Sequence, residues 1–287
     1  MVTLRATVYP YLVRGEHSTR RMISSLPSTG VGWAGFVACR DGAVVGWAAA
    51  YRNPRSADGL GQISLLHVHP SHRRRGIGTA LLGVVTGHLH AIGVEGVAAT
   101  VTPDSLGFAR RHGFQPTRDL RYAVLDLHGF NQSEMSSPGV RLVSLREVDE
   151  HALYAADVAA ATDEPGDSPP QPAAYETWRY DIWEEPDLDR DASTVALSGS
   201  SGSEIVSFSL LTRDGARVWS DMTATVPSWR GRGLARLVKT VALRRAAEAG
   251  ATTAYTANDE SNLPMLAVNT RLGYRQVATQ LACRATL

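Results

Sequence analysis

Val68-His69-Pro70-Ser71-His72-Arg73-Arg74-Arg75-Gly76-Ile77-Gly78 and, much further along, Thr225-Val226-Pro227-Ser228-Trp229-Arg230-Gly231-Arg232-Gly233-Leu234-Ala235 state one pattern twice, Arg-x-x-Gly-x-(Gly/Ala). Each copy follows a stretch that reads as a strand, Ile63 to Val68 in the first and Val218 to Val226 in the second, and each runs into a helical pattern. Such a turn suits anion capture. Glycines at Gly76, Gly78 and Gly233, with the small Ala235, remove Cβ bulk so that several backbone N–H groups can close round a phosphate. The positive end of the helix dipole and the arginines then hold it, and a diphosphate is the natural guest. A lone turn of this kind is often only a tight connection, and two copies in matching contexts carry far more weight. Neither copy ends in Gly-Lys-(Ser/Thr), so a Walker A loop is excluded, and the glycines do not fit G-x-G-x-x-G near a domain start.

The chain at this point resembles the GNAT superfamily of acyl-CoA-dependent N-acetyltransferases, whose signature is Arg/Gln-x-x-Gly-x-Gly/Ala on the turn between the fourth strand and the third helix. The resemblance covers almost the whole chain as two consecutive copies. Downstream, Asn262-Leu263-Pro264-Met265-Leu266-Ala267-Val268-Asn269-Thr270-Arg271-Leu272-Gly273-Tyr274 is similar to the family's Asn-x-x-Ala/Met…Leu-Gly-Phe/Tyr helix beside the coenzyme. The first copy keeps Arg111-His112-Gly113-Phe114 but has Thr102 and Ser105 where the second has Asn262 and Met265. Its second motif is thinner.

The resemblance implies an α/β (α+β) fold of two GNAT-like domains, each a mixed, mostly antiparallel sheet flanked by helices with a splayed central strand pair. It implies acetyl-CoA as cofactor, its pantetheine arm lying along Met222-Thr223-Ala224-Thr225 in the second unit and Leu66-His67-Val68 in the first. The diphosphate would meet Arg230, Gly231, Arg232, Gly233, Leu234 and Ala235, or Arg73, Arg74, Arg75, Gly76, Ile77, Gly78 and Thr79, with Asn258, Asn262 and Met265 as further cofactor contacts. Many members use a strand glutamate as base and a tyrosine four residues before the Gly of the Leu-Gly-Phe/Tyr element as acid. This chain departs on both counts. The tyrosine place holds Asn269 and Ala109, and the strands offer Asp221 and His67. Asp221 and Asn269 are the catalytic candidates; the plainer reading of Asp221 is a structural hydrogen bonder, and that of His67 a packed or solvent-facing histidine.

The chain has 287 residues, ample for two units of about 140, and the paired motifs divide it into 1–128, a Ser/Asn/Gly/Pro-rich linker 129–139, and 140–287. Hydrophobic residues at 44% and charged residues at 20% are ordinary for a globular protein. A net charge of +1 gives no global attraction to nucleic acid or anionic membrane. Cys39 and Cys283 form neither a disulfide framework nor a metal site, and no signal peptide or membrane span is evident, so the cytoplasm is the default location. A monomer or homodimer is expected.

Alternation from Trp33 to Ala50 round Asp41-Gly42 predicts a hairpin. Further expected elements are a helix Gly76–Ala91, strand Gly96–Val101, helix Ser105–Arg111, a closing strand Tyr122–Leu127, and one helix, or a broken pair, between Val13 and Leu26. In the second unit the pattern gives a strand Val140–Leu145, a helix Glu147–Ala161, a proline-laden loop Asp163–Pro172, and a helical aromatic stretch Trp178–Glu185. Within it Trp178 reads as core, with Tyr180, Trp183 and Glu184 as candidate acceptor contacts. Strands Thr194–Leu197 and Ile205–Leu211, helix Leu234–Ala249, strand Thr253–Thr256, helix Asn262–Leu272 and strand Arg275–Arg284 follow. Two function classes fit: an acetyltransferase acting on a primary amine, of a small molecule or a protein, with one catalytic and one degenerate unit; or an acyl-CoA sensor without turnover.

Overall fold

The computed structural model describes residues 1–24, 32–132, 136–161, 165–166, 171–198 and 204–287. In the first unit α1 (Val2–Val8) and α2 (Glu16–Ser24) precede the hairpin β1 (Ala34–Arg40) and β2 (Ala43–Arg52). Its turn has Asp41 at φ 51° and Gly42 at φ 79°, the paired left-handed residues that match the twist of the flanking strands. Then come β3 (Gly61–Val68), α3 (Ile77–Ala91), β4 (Gly96–Val101), α4 (Leu106–Arg111) and β5 (Gln115–Asp126). The second unit repeats the plan with β6 (Arg141–Ser144), α5 (Glu150–Ala160), α6 (Tyr175–Trp178), β7 (Thr194–Ser198), β8 (Glu204–Asp214), β9 (Arg217–Thr225), α7 (Leu234–Glu248), β10 (Thr253–Asp259), α8 (Leu263–Leu272) and β11 (Arg275–Thr286). Helix α1 is an element the sequence reading lacked, because its seven residues, about two turns, are too few to show a clear 3.6-residue stripe. Residues 25–31, which include the end of the Val13–Leu26 stretch, 133–135 of the linker, 162–164 and 167–170 in and beside the proline-laden loop, and 199–203 of the Ser/Gly segment lie outside the described residues.

Among the described residues eleven strands form one sheet, in the order β1-β2-β3-β4-β11-β5-β10-β9-β8-β7-β6. The closing strands are exchanged. The expectation that Tyr122–Leu127 completes the first unit is corrected: β5 runs from Gln115, and its outer edge pairs with β10, from Asp126 opposite Thr253 to Leu120 opposite Asp259. Conversely β11 lies beside β4, from Leu281 opposite Val101 to Thr286 opposite Gly96. The two exchanged strands pair antiparallel with each other at the centre. Each core therefore takes side chains from the other half of the chain. Cys283 of β11 is buried with Ile63, Leu81, Leu82, Val85, Leu89, Val97 and Phe114, while Leu125 and Leu127 are buried with Leu211, Val218, Leu243, Ala254, Leu272 and Tyr274. Burial of this kind contributes about 25 cal/mol per Å² of apolar surface, so neither core closes without the other unit's strand.

Further bonds tie the units together. The Gly15 amide donates to Asp187 Oδ2 at 2.6 Å, and Arg21 of α2 stacks 3.8 Å over the Tyr180 ring while pairing with Glu184 at 3.1 Å. Among the described residues no helix is long and apolar enough to cross a membrane.

Candidate active site

Parallel strands β9 and β10 share a ladder only from Arg217–Trp219 to Thr253–Tyr255 and then part. The pairing of β9 with β8 shifts register between Ser209 and Leu211, which turns the end of β9 away from β10. The parting leaves the edges Met222-Thr223-Ala224-Thr225 and Thr256-Ala257-Asn258-Asp259 facing one cavity of about 1120 Å³. At its mouth the turn after β9 holds Gly231 at φ 76° and Gly233 at φ 77°, with nothing within 4 Å of where either Cβ would stand. No side chain caps α7, whose first residues Leu234 and Ala235 line the cavity. A left-handed turn feeding an uncapped helix start directs free amides into open space, which is an anion cradle.

The arginines of the motif divide the work differently from the sequence expectation. Arg230 is turned back, its Nε donating to the Thr225 carbonyl at 3.1 Å and Nη2 to the Ala160 carbonyl at 3.3 Å, so it holds the turn to the strand end. Arg73 does the same in the first unit, Nε donating to the Val68 carbonyl at 3.2 Å. Arg232 stacks 4.5 Å over Trp229 and is exposed.

Of the catalytic candidates, Asp221 lies on the cavity wall. It is open to the solvent filling the cleft, yet the surrounding protein desolvates its carboxyl and raises its pKa above the usual carboxylate range; a hydrogen bond from Trp219 Nε1 at 3.1 Å only partly offsets this. Asn269 is elsewhere. It is 4% exposed, does not line the cavity, and donates through Nδ2 to Asn258 Oδ1 at 2.6 Å, so it orients a cavity residue from behind. Asn262 caps α8, its Oδ1 accepting from the Met265 amide at 3.2 Å. Tyr180, Trp183 and Glu184 do not line this cavity; Trp183 is covered by the Arg190 guanidinium at 4.2 Å, and the other two are held by Arg21.

Sequence reasoning missed Arg118, Leu120, Asp259 and Lys239. Arg118 and Leu120 enter this cavity from β5, and Arg118 is ion-paired with Asp259 of β10. No local pattern signals a wall residue delivered by a strand exchange. Lys239, on α7, carried a signal in the sequence, being the one lysine among 28 arginines.

The first unit keeps the turn and loses the cleft. Gly76 sits at φ 78° and Arg74 takes the place of Gly231 at φ 62°, a conformation disfavoured for a side chain with a Cβ. Strands β3 and β4 also part after Ile63 and Ala99. The space between them is only about 100 Å³, room for about three waters. Phe108, whose counterpart in α8 is Val268, lies against Gly78, 3.6 Å from where a Cβ would be. His67 is 1% exposed between the rings of Tyr9 and Trp47, neither ring nitrogen has a hydrogen-bond partner, and burial lowers its pKa to about 4. It is a packed, neutral histidine.

The model of the Acetyltransferase (GNAT) family matches residues 10–114 and again residues 158–274. The chain belongs to the GNAT acetyltransferase family. A mycothiol acetyltransferase of Nocardiopsis dassonvillei is 29% identical over 261 residues, which cover 82% of this chain and 76% of that protein. Among solved structures, a tandem GNAT protein from the clavulanic acid biosynthesis pathway superposes with a TM-score of 0.73 at 21% identity, over 99% of this chain and 93% of its own. A GCN5-related N-acetyltransferase from Sphaerobacter thermophilus gives 0.72 at 20% identity, over 94% and 85%. At these identities the two structures share the tandem fold with this chain.

GNAT enzymes generally use acetyl-CoA, which supplies an acetyl group activated as a thioester. The second unit fits that group: free strand edges, an open glycine cradle and an uncapped helix start meet at one large cavity.

Proposed function

We propose that the chain transfers acetyl from acetyl-CoA to the primary amine of a small molecule, and that the second unit, residues 140–287 completed by β5, does the chemistry. The observation that carries this reading is the size contrast between the clefts, about 1120 Å³ against about 100 Å³. Only the larger can take a coenzyme and an acceptor together. Asp221 is the group that accepts the amine proton: it faces the cavity, and its raised pKa brings it closer to the range useful to a base near neutrality. The alternate N–H groups of Met222 to Thr225 that do not bond to β8 are placed to pair with an extended chain laid along the strand. With no tyrosine at the acid position, the thiolate leaves with help from water or a neighbouring N–H, which a thiol of pKa about 8.5 permits.

The test is thiol release from acetyl-CoA across a panel of primary amines, polyamines, amino sugars and peptides. Release with a small amine and none with peptides supports the reading; release only with peptide N-termini overturns it. The missing tyrosine favours a second reading, an acyl-CoA sensor. Acetyl-CoA that raises the melting temperature with no thiol release from any amine would select it.

A further inference from the structure

Of the 29 lysines and arginines in the chain, 28 are arginine. The one lysine, Lys239, is not on the surface. It is 1% exposed, lines the large cavity from the second turn of α7, and its ammonium lies 5.1 Å over the Tyr274 ring. Among the described residues no carboxylate pairs with it and no hydrogen bond holds it. The charged groups on the same cavity are Asp221 on β9, Asp259 on β10 with Arg118 of β5, Arg230 in the turn, Arg236 on α7 and Arg271 on α8. None of them offsets the burial, and desolvation alone lowers the Lys239 pKa to about 7. At the corresponding place in the first unit, the same distance past the turn glycine, stands the apolar Leu82.

A cation kept for binding an anion would be better as arginine, which stays charged and binds in a fork, and the chain uses arginine everywhere else. What lysine alone offers is a nitrogen that can lose its proton and become a nucleophile. Here that lysine lines the cavity that fits an acyl thioester, where proximity replaces collision.

We propose that Lys239 is a self-acylation site, its Nζ accepting the acetyl group of acetyl-CoA held in the second unit's cleft; this rests on the reading that this cleft binds acetyl-CoA. The Nζ lone pair forms a bond to the thioester carbonyl carbon, and the carbon–sulfur bond breaks with its electron pair going to sulfur. The proton released from nitrogen ends on that sulfur, leaving an amide on Lys239 and free CoA thiol. The amide is neutral, which removes the penalty of a buried, unpaired cation.

The protein has two primary amines, the N-terminus and Lys239, so an internal acetyl group held as an amide, and not as a thioester on the free Cys39, marks Lys239. The experiment incubates the purified chain with acetyl-CoA and no acceptor, follows intact mass, maps the modified peptide, and records the melting temperature in parallel. The expected result is one internal acetyl group, formed faster as pH rises towards and past 7, absent in Lys239→Met and Lys239→Leu, and lost in Gly233→Glu. Leucine is already tolerated at the matching position of the first unit. A raised melting temperature without the adduct overturns this proposal and leaves the acetyl-CoA reading standing. No change in melting temperature overturns both. An adduct that forms equally in Gly233→Glu is ordinary chemical acetylation, and overturns the site.

Discussion

The two halves of this chain carry the same turn on the same topology, and only one of them keeps a cleft. In the second unit Gly231, Val268, Asp221 and Lys239 surround about 1120 Å³; in the first, Arg74, Phe108, Ser64 and Leu82 occupy the matching places and about 100 Å³ is left. The difference is one of side-chain volume and polarity laid over a shared backbone. The first unit's turn still adopts left-handed geometry at Arg74 and Gly76, because that geometry is what lets the chain pass from β3 into α3. Cleft filling costs it nothing in fold, since β3, β4 and α3 still bury a core that β11 completes. A signature motif thus reports a fold, and the space beside it reports a function.

The sharpest way to break the comparison is to place a carboxylate in each cradle. Gly233→Glu should abolish acetyl-CoA binding and turnover, while Gly76→Glu should leave both near wild type, as measured by thiol release and thermal shift. The reverse pattern, in folded proteins, would assign the chemistry to the wrong half. Next, Asp221→Asn should lower kcat by about 10²- to 10⁴-fold, the usual scale for a lost general base. In the wild type kcat/KM should fall as pH drops through the raised pKa of this carboxyl, because protonation removes the base; Asp221→Asn should lose that limb of the profile.

Copying the first unit into the second through Lys239→Leu bears on stability. The folded pKa of about 7 lies below the ordinary 10.5, so the unfolded chain binds more protons between those values and the wild type gains stability as pH rises across that window. The variant should therefore melt higher than wild type at pH 7, and its advantage should shrink towards pH 10. Phe108→Ala, which opens the smaller cleft, should cost less than the 3–5 kcal/mol typical of a fully buried phenylalanine, about 2 kcal/mol, because Phe108 is only partly buried. If calorimetry then finds a second acetyl-CoA bound, the closed cleft was the only barrier. The smallest effect is at Asn262, where Asn262→Ala removes the cap of α8 and should cost about 1 kcal/mol in urea titration, with KM for acetyl-CoA moved little.

Most elements were legible in the sequence because their signals are local. The Asp41-Gly42 hairpin, the turn glycines, and helices α3, α7 and α8 each rest on residues within a few positions of one another. The roles of individual polar residues were less legible. Asn269 and Asn262 sit where the motif puts them, yet one braces Asn258 and the other caps a helix, and that depends on which face of α8 meets β10. Arg230 and Arg73 likewise read as anion ligands until the strand-end carbonyls they hold came into view.

The sequence by itself determined that there are two units, that each has a phosphate-type turn, and that the second has the fuller motif, because spacing and residue type decide these without reference to distant chain. Tertiary structure alone decided that β5 and β11 change places, that Arg118 reaches the second unit's cavity, and that His67 is sealed between two rings. The physical reason is that a strand's alternation fixes which of its faces is apolar but not which neighbour its backbone N–H and C=O groups will join, and either edge offers the same ladder of hydrogen bonds.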